Sequence, residues 1–67
     1  MIKGEKYLVF VKKRWHLAEL IAISHEIGVI WYLFSYDREF TMGREWISEP
    51  YIPSRVKYRK DAFIIDL

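Results

Sequence analysis

Residues 29–36, Val-Ile-Trp-Tyr-Leu-Phe-Ser-Tyr, carry no charge, no proline and no glycine. β-Branched and aromatic residues at this density form a strand. Successive side chains on a strand point to opposite faces. Ile30, Tyr32, Phe34 and Tyr36 therefore share one face, and Val29, Trp31, Leu33 and Ser35 the other. Both faces are apolar. One must pack inward, and the other must meet a second layer or a partner.

The flanking segments supply further strands. Residues 6–11 (KYLVFV) are β-branched and aromatic with no breaker, and residues 12–14 (KKR) form a basic knuckle after them. Asp37 to Phe40 reads as a turn, and 40–48 (FTMGREWIS) as a strand pairing back on 29–36. Gly43 inside that strand predicts a bulge or a close backbone approach. Pro50 and Pro53 end it. Residues 54–62 predict a helical turn with Ser54 as N-cap, and 63–67 (FIIDL) a last short strand.

Residues 15–27 satisfy two patterns. Leu17, Leu20, Ile21, Ser24 and Ile27 fall at helical spacing, and Gly28 suits a helix end. The charges argue otherwise: Lys12, Lys13 and Arg14 would crowd the positive end of the helix dipole, and Glu26 the negative end. No Ser, Thr, Asp or Asn stands at the N-cap position. The preferred reading is a strand at 16–23 with a hairpin loop at 24–28; the alternative is an α+β fold with residues 14–27 helical. Five short strands in one small domain, 1–67, indicate a small barrel or two packed sheets.

A 67-residue chain buries only about 60% of the surface it exposes when unfolded. There is no cysteine to staple it. Three Trp, five Tyr and four Phe supply a dense core instead, and are more rings than a core this size hides. Some rings are expected at the surface, where they mark an interface. Asn and Gln are absent, which fits a thermophile. The charged, leaderless look of the first ten residues and the lack of a membrane-length apolar run predict an intracellular, cytoplasmic protein without a membrane partner.

Several chemistries lack their parts. Ser24 and His25 are neighbours and would face opposite sides of a strand. His16 and His25 stand nine apart with no clustered ligands, which disfavours a metal. Gly4, Gly28 and Gly43 make no phosphate loop. The expectation is a binding module, not an enzyme, with no catalytic residue, metal or cofactor.

Three features suit binding. Lys12, Lys13 and Arg14 precede Trp15. Arg55, Lys57, Arg59 and Lys60 surround Tyr58. Arg38 and Arg44 lie between these runs, and Trp46 shares a strand face with Met42. Cations attract phosphate and rings stack on bases. Arginine also grips phosphate or guanine with paired hydrogen bonds.

The segment Phe34 to Pro53 (FSYDREFTMGREWISEPYIP) resembles the last hairpin of the small crenarchaeal chromatin proteins. That resemblance implies a basic SH3-like barrel whose sheet lies on the DNA minor groove and pushes apolar side chains between base steps. It makes Arg44 a DNA-contacting arginine and places Trp46 near the wedge positions. The chain also resembles Tudor-type SH3-like domains, through Gly4-Glu5-Lys6, Trp15-His16-Leu17-Ala18 and Leu33-Phe34-Ser35-Tyr36. That likeness implies an aromatic cage at His16, Phe34 and Tyr36, with the first-strand aromatic displaced to Phe10.

Together these readings predict a mostly β, SH3-like five-stranded barrel with a short C-terminal helical turn. The leading functional expectation is nucleic-acid (DNA) binding through a basic and aromatic sheet face. Phosphate contacts would come from Lys12, Lys13, Arg14, Arg38 and Arg44, ring contacts from Trp15 and Trp46, and a secondary site from residues 55–60. The alternative is a protein–protein interaction module, an adaptor or small inhibitor, burying the same aromatics in a partner or a homodimer. The near balance of charge, net +2, favours that alternative.

Overall fold

A computed structural model describes residues 1–38 and 41–58. Five antiparallel strands form one sheet: β1 (Lys6–Val11), β2 (Arg14–Glu26), β3 (Val29–Asp37), β4 (Met42–Ser48) and β5 (Val56–Tyr58). Their order across the sheet is β4-β3-β2-β1-β5. A single 3₁₀ turn, Glu49–Tyr51, and a one-turn helix α1, Ile52–Arg55, carry the chain from β4 to β5. Among the described residues, no helix is long and apolar enough to cross a membrane.

The strands at 6–11 and 29–36 form as the sequence predicts, β3 running one residue further to Asp37. The helical alternative over 14–27 does not form. That segment is the 13-residue β2, longer at both ends than the predicted 16–23. It pairs with β1 through Arg14–Glu19 and with β3 through Ala18–Glu26. Only Ala18 and Glu19 are paired on both sides, so the two ladders are staggered along β2. Beyond Glu19 the N-terminal segment continues the pairing. Gly4 N donates to Leu20 O at 2.8 Å and Leu20 N donates to Glu5 O at 3.1 Å.

The ladder shifts register at Ile21, between Leu20 and Ala22. An extra residue reverses the facing of everything after it. Ala18 and Leu20 point into the core opposite Tyr36 and Phe34, whereas Ala22 and Ser24 lie opposite Leu33 and Trp31 on the outer face. Of the two expectations at Gly43, a bulge or a close approach, the ladder with β3 shows no register shift there. A close approach stands there instead: a Cβ on Gly43 would lie 2.5 Å from the Tyr36 ring.

The core consists of Tyr7, Val9, Val11, Ala18, Leu20, Phe34, Tyr36, Ile47 and Val56. Phe34, Leu20 and Val9 are wholly buried. This is the inward face of β3, with its partners on β1, β2, β4 and β5. The outer face keeps Trp15, Leu17, Met42 and Trp46 exposed, in line with the surplus of rings.

The C-terminal part differs from its prediction. The helical turn lies at 52–55, and 56–58 of the predicted helical stretch are strand, because Val56 is buried and pairs with Val9; its residues 59–62 lie outside the described residues. Pro50 and Pro53 are the second residues of the two turns, where the backbone N–H would have no partner within the turn and its loss costs little. Ser54 is not an N-cap; it lies inside α1 and its hydroxyl donates to Tyr51 O at 3.1 Å. The predicted strand at 63–67 lies outside the described residues, as do Glu39 and Phe40 of the predicted 37–40 turn.

Both hairpin turns before β3 are two residues long with positive φ throughout: Lys12 (51°) and Lys13 (65°), then Ile27 (50°) and Gly28 (72°). Such turns match the twist of the strands they join and favour Asn-Gly or Asp-Gly. Ile27 is β-branched in this region and fully exposed, so the strain is not offset by burial. Ile27→Asn should therefore stabilise the fold by about 1 kcal/mol, read as a higher urea midpoint at unchanged slope.

Candidate functional site

The stagger of β2 opens a space at one end of the sheet. Arg14–Leu17 pair with β1 but run past the last β2–β3 pair, Ala18 with Tyr36. The open groove beside them is lined by Lys12, Arg14, His16, Tyr36, Asp37 and Arg38, with a volume of about 630 Å³. Three of the predicted cations thus meet across three segments of chain: the β1–β2 turn, the start of β2 and the end of β3.

The groove has an ordered floor. His16 Nε2 donates to Val11 O at 3.2 Å, which requires the proton on that nitrogen, since a carbonyl only accepts. The His16 ring lies 4.7 Å from the buried Tyr36 ring. Tyr36 and the Arg38 side chain both pass over Gly43, closer than any Cβ would allow. Among the described residues, Asp37 is the one carboxylate in the lining. Among the described residues the ion pairs are Lys6–Glu19 and Arg55–Glu45, and the three groove cations belong to neither.

The remaining predicted residues fall elsewhere. Lys13 is exposed beside Lys12 in the turn. Trp15 points away from Arg14, to the outer face, so the run Lys-Lys-Arg-Trp is divided between two surfaces. Its ring packs 5.2 Å from Phe10, and Lys57 Nζ sits 4.6 Å over it. Tyr58 packs edge-on against Tyr7 at 5.4 Å. Arg44 and Trp46 are exposed on β4, opposite Ser35 and Leu33 of the outer face. Arg59 and Lys60 lie outside the described residues.

Arg55 is engaged internally. Its Nε and Nη2 donate to Phe10 O at 3.1 and 3.0 Å, and Nη2 also donates to Glu45 Oε2 at 2.9 Å. Phe10 is on β1 and Glu45 on β4, strands separated by two others in the sheet. A flat sheet would hold them about 14 Å apart, so the sheet curls toward this guanidinium.

A second groove lies on the outer face, toward the β2–β3 hairpin. Ser24, Glu26, Trp31 and Trp46 line it, and its volume is about 330 Å³. Of these residues the sequence reading singled out only Trp46 for binding. The others were missed because the bulge at Ile21 decides which β2 side chains share a face with Trp31. The proposed cage does not assemble: Phe34 is wholly buried, leaving only His16 and Tyr36 at the first groove. Among the described residues, no group of His, Asp and Glu is arranged to hold a metal.

No family model matches the chain, and neither the curated proteins nor the solved structures compared with it contain a match.

The Arg55 tie should be worth more than its ion pair alone. Arg55→Met removes donors from a backbone carbonyl and a carboxylate together, and should cost about 1–3 kcal/mol. Glu45→Gln keeps both bonds to Phe10 O and should cost less, since this pair is partly exposed. Urea denaturation of the two variants checks that order.

Proposed function

We propose that the chain is a non-enzymatic, cytoplasmic nucleic-acid-binding module, built on a sheet that closes into an SH3-like small barrel. The observation that carries this reading is the convergence of Lys12, Arg14 and Arg38 on one open groove floored by the His16 and Tyr36 rings, packed at a tilt. These cations suit the phosphates of a DNA backbone, with Lys13 within reach beside them. Arginine offers paired donors to phosphate, whereas lysine acts as a point charge. Asp37 weakens the local field and disfavours a bare anion bound without further contacts. The net charge of only +2 limits such a binder to a few phosphate contacts.

The residues named in the chromatin-protein resemblance, Arg44 and Trp46, stand on the outer face and not at this groove. A second reading, a protein interaction module, draws support from that face, where Leu17, Met42 and Trp46 are exposed. The two readings separate by salt. Phosphate binding weakens steeply as counterions compete, whereas an interface centred on aromatics responds weakly.

Anisotropy of a short labelled DNA duplex, titrated at several salt concentrations, tests the proposal. Binding should appear at low salt and fall linearly on a log–log plot. Lys12→Ala, Arg14→Ala and Arg38→Ala should each reduce the slope by about one, and Arg44→Ala should leave it unchanged. Absence of binding at low salt, or binding indifferent to salt, overturns the reading.

A further inference from the structure

We infer that the outer groove between Trp31 and Trp46 is a binding site for an alkylated ammonium group. It lies on the opposite face of the sheet from the cation-lined groove and does not depend on the nucleic-acid reading.

The strand register builds the site. Trp31 stands directly opposite Ser24 on β2 and Ser48 on β4. Both neighbours are small, and the half-buried Trp31 lines the groove beside them. Trp46 is two residues before Ser48 and lies on the same outer face, the diagonal neighbour of Trp31. Diagonal neighbours stand roughly 7–8 Å apart, the separation at which one cation reaches both rings. Glu26, two residues beyond Ser24, occupies the other diagonal. Glu26, Trp31 and Trp46 thus form one oblique row across three strands.

The chemistry of the lining selects the ligand. Glu26 is the only ionisable residue among the four, and among the described residues no lysine or arginine joins them. A phosphate would meet a carboxylate and two negative ring faces. A cation meets the same groups favourably, because the indole face is the best π-partner for one. The carboxylates of Glu19 and Glu45 are already engaged by Lys6 and Arg55; Glu26 has no such ion pair among the described residues. Apolar walls favour an ammonium clothed in methyl groups, since it gives up little hydration on entering. The volume, about 330 Å³, is at the low end for ligand pockets and suits a single head group.

The chain contains a model of the contact. Lys57 places its ammonium 4.6 Å from the Trp15 ring centre. That indole has its cation from within the fold; Trp31 and Trp46 have none among the described residues.

The probe is tetramethylammonium chloride, followed through the three indole N–H signals by NMR at constant ionic strength. The Trp31 and Trp46 signals should move and saturate, while Trp15 stays fixed. Neopentyl alcohol, of similar shape but neutral, should bind at least fivefold more weakly. Glu26→Gln, at an exposed position, should weaken tetramethylammonium binding about three- to tenfold. Choline and a short trimethyllysine peptide share the head group, and the tighter of the two identifies its source. No saturation, equal binding of neopentyl alcohol, or an unchanged affinity in Glu26→Gln overturns the assignment.

Discussion

The staggered pairing of β2 is the constraint on which the rest of this structure depends. One strand serves β1 with its first half and β3 with its second, and only Ala18 and Glu19 are paired on both sides. A strand flush with both neighbours would leave no free ends. This one leaves Arg14–Leu17 beyond β3 at one end and the β2–β3 hairpin beyond β1 at the other. Each overhang makes a groove, and the two grooves differ in chemistry because different residues happen to lie along each half.

The bulge at Ile21 makes the stagger compatible with a single core. Before it, Ala18 and Leu20 face inward; after it, Ala22 and Ser24 face outward. Without the extra residue, every side chain beyond it would change face. Ser24 and Glu26 would then leave the Trp31 face. The curl of the sheet adds the remaining element, drawing β1 and β4 toward Arg55, whose guanidinium binds Phe10 O and Glu45 together. Gly43 completes the packing by letting Tyr36 lie against bare backbone, where its ring meets that of His16 at a tilt.

The same bulge explains which features are legible in the sequence. β1 and β3 alternate without interruption, so their positions and the two faces of β3 follow from residue type. In β2 the phase slips at Ile21. Leu17 faces outward, Leu20 inward, and the pattern resumes on the other parity, so the apolar spacing imitates a helix. Charge placement against the helix dipole pointed the right way, but the length of the strand and the bulge needed the partner strands. Toward the C-terminus, Val56 stands within a charged run in the sequence; only its pairing with Val9 marks it as strand. Lys12, Arg14 and Arg38 were legible as cations, but their convergence was not, because it depends on where β3 stops along β2. Arg55 looks like any other member of its basic run until the curl of the sheet brings Phe10 O and Glu45 to it.

On the proposed reading, the stagger separates a phosphate-binding end from an aromatic outer face. Backbone amide shifts of the ¹⁵N-labelled protein, recorded while a short duplex is added at low salt, test it most directly. The shifts should cluster at residues 12–16 and 36–38, with Ser24, Glu26, Trp31 and Trp46 unmoved. Shifts centred on Trp31 and Trp46, or none at all, would contradict it.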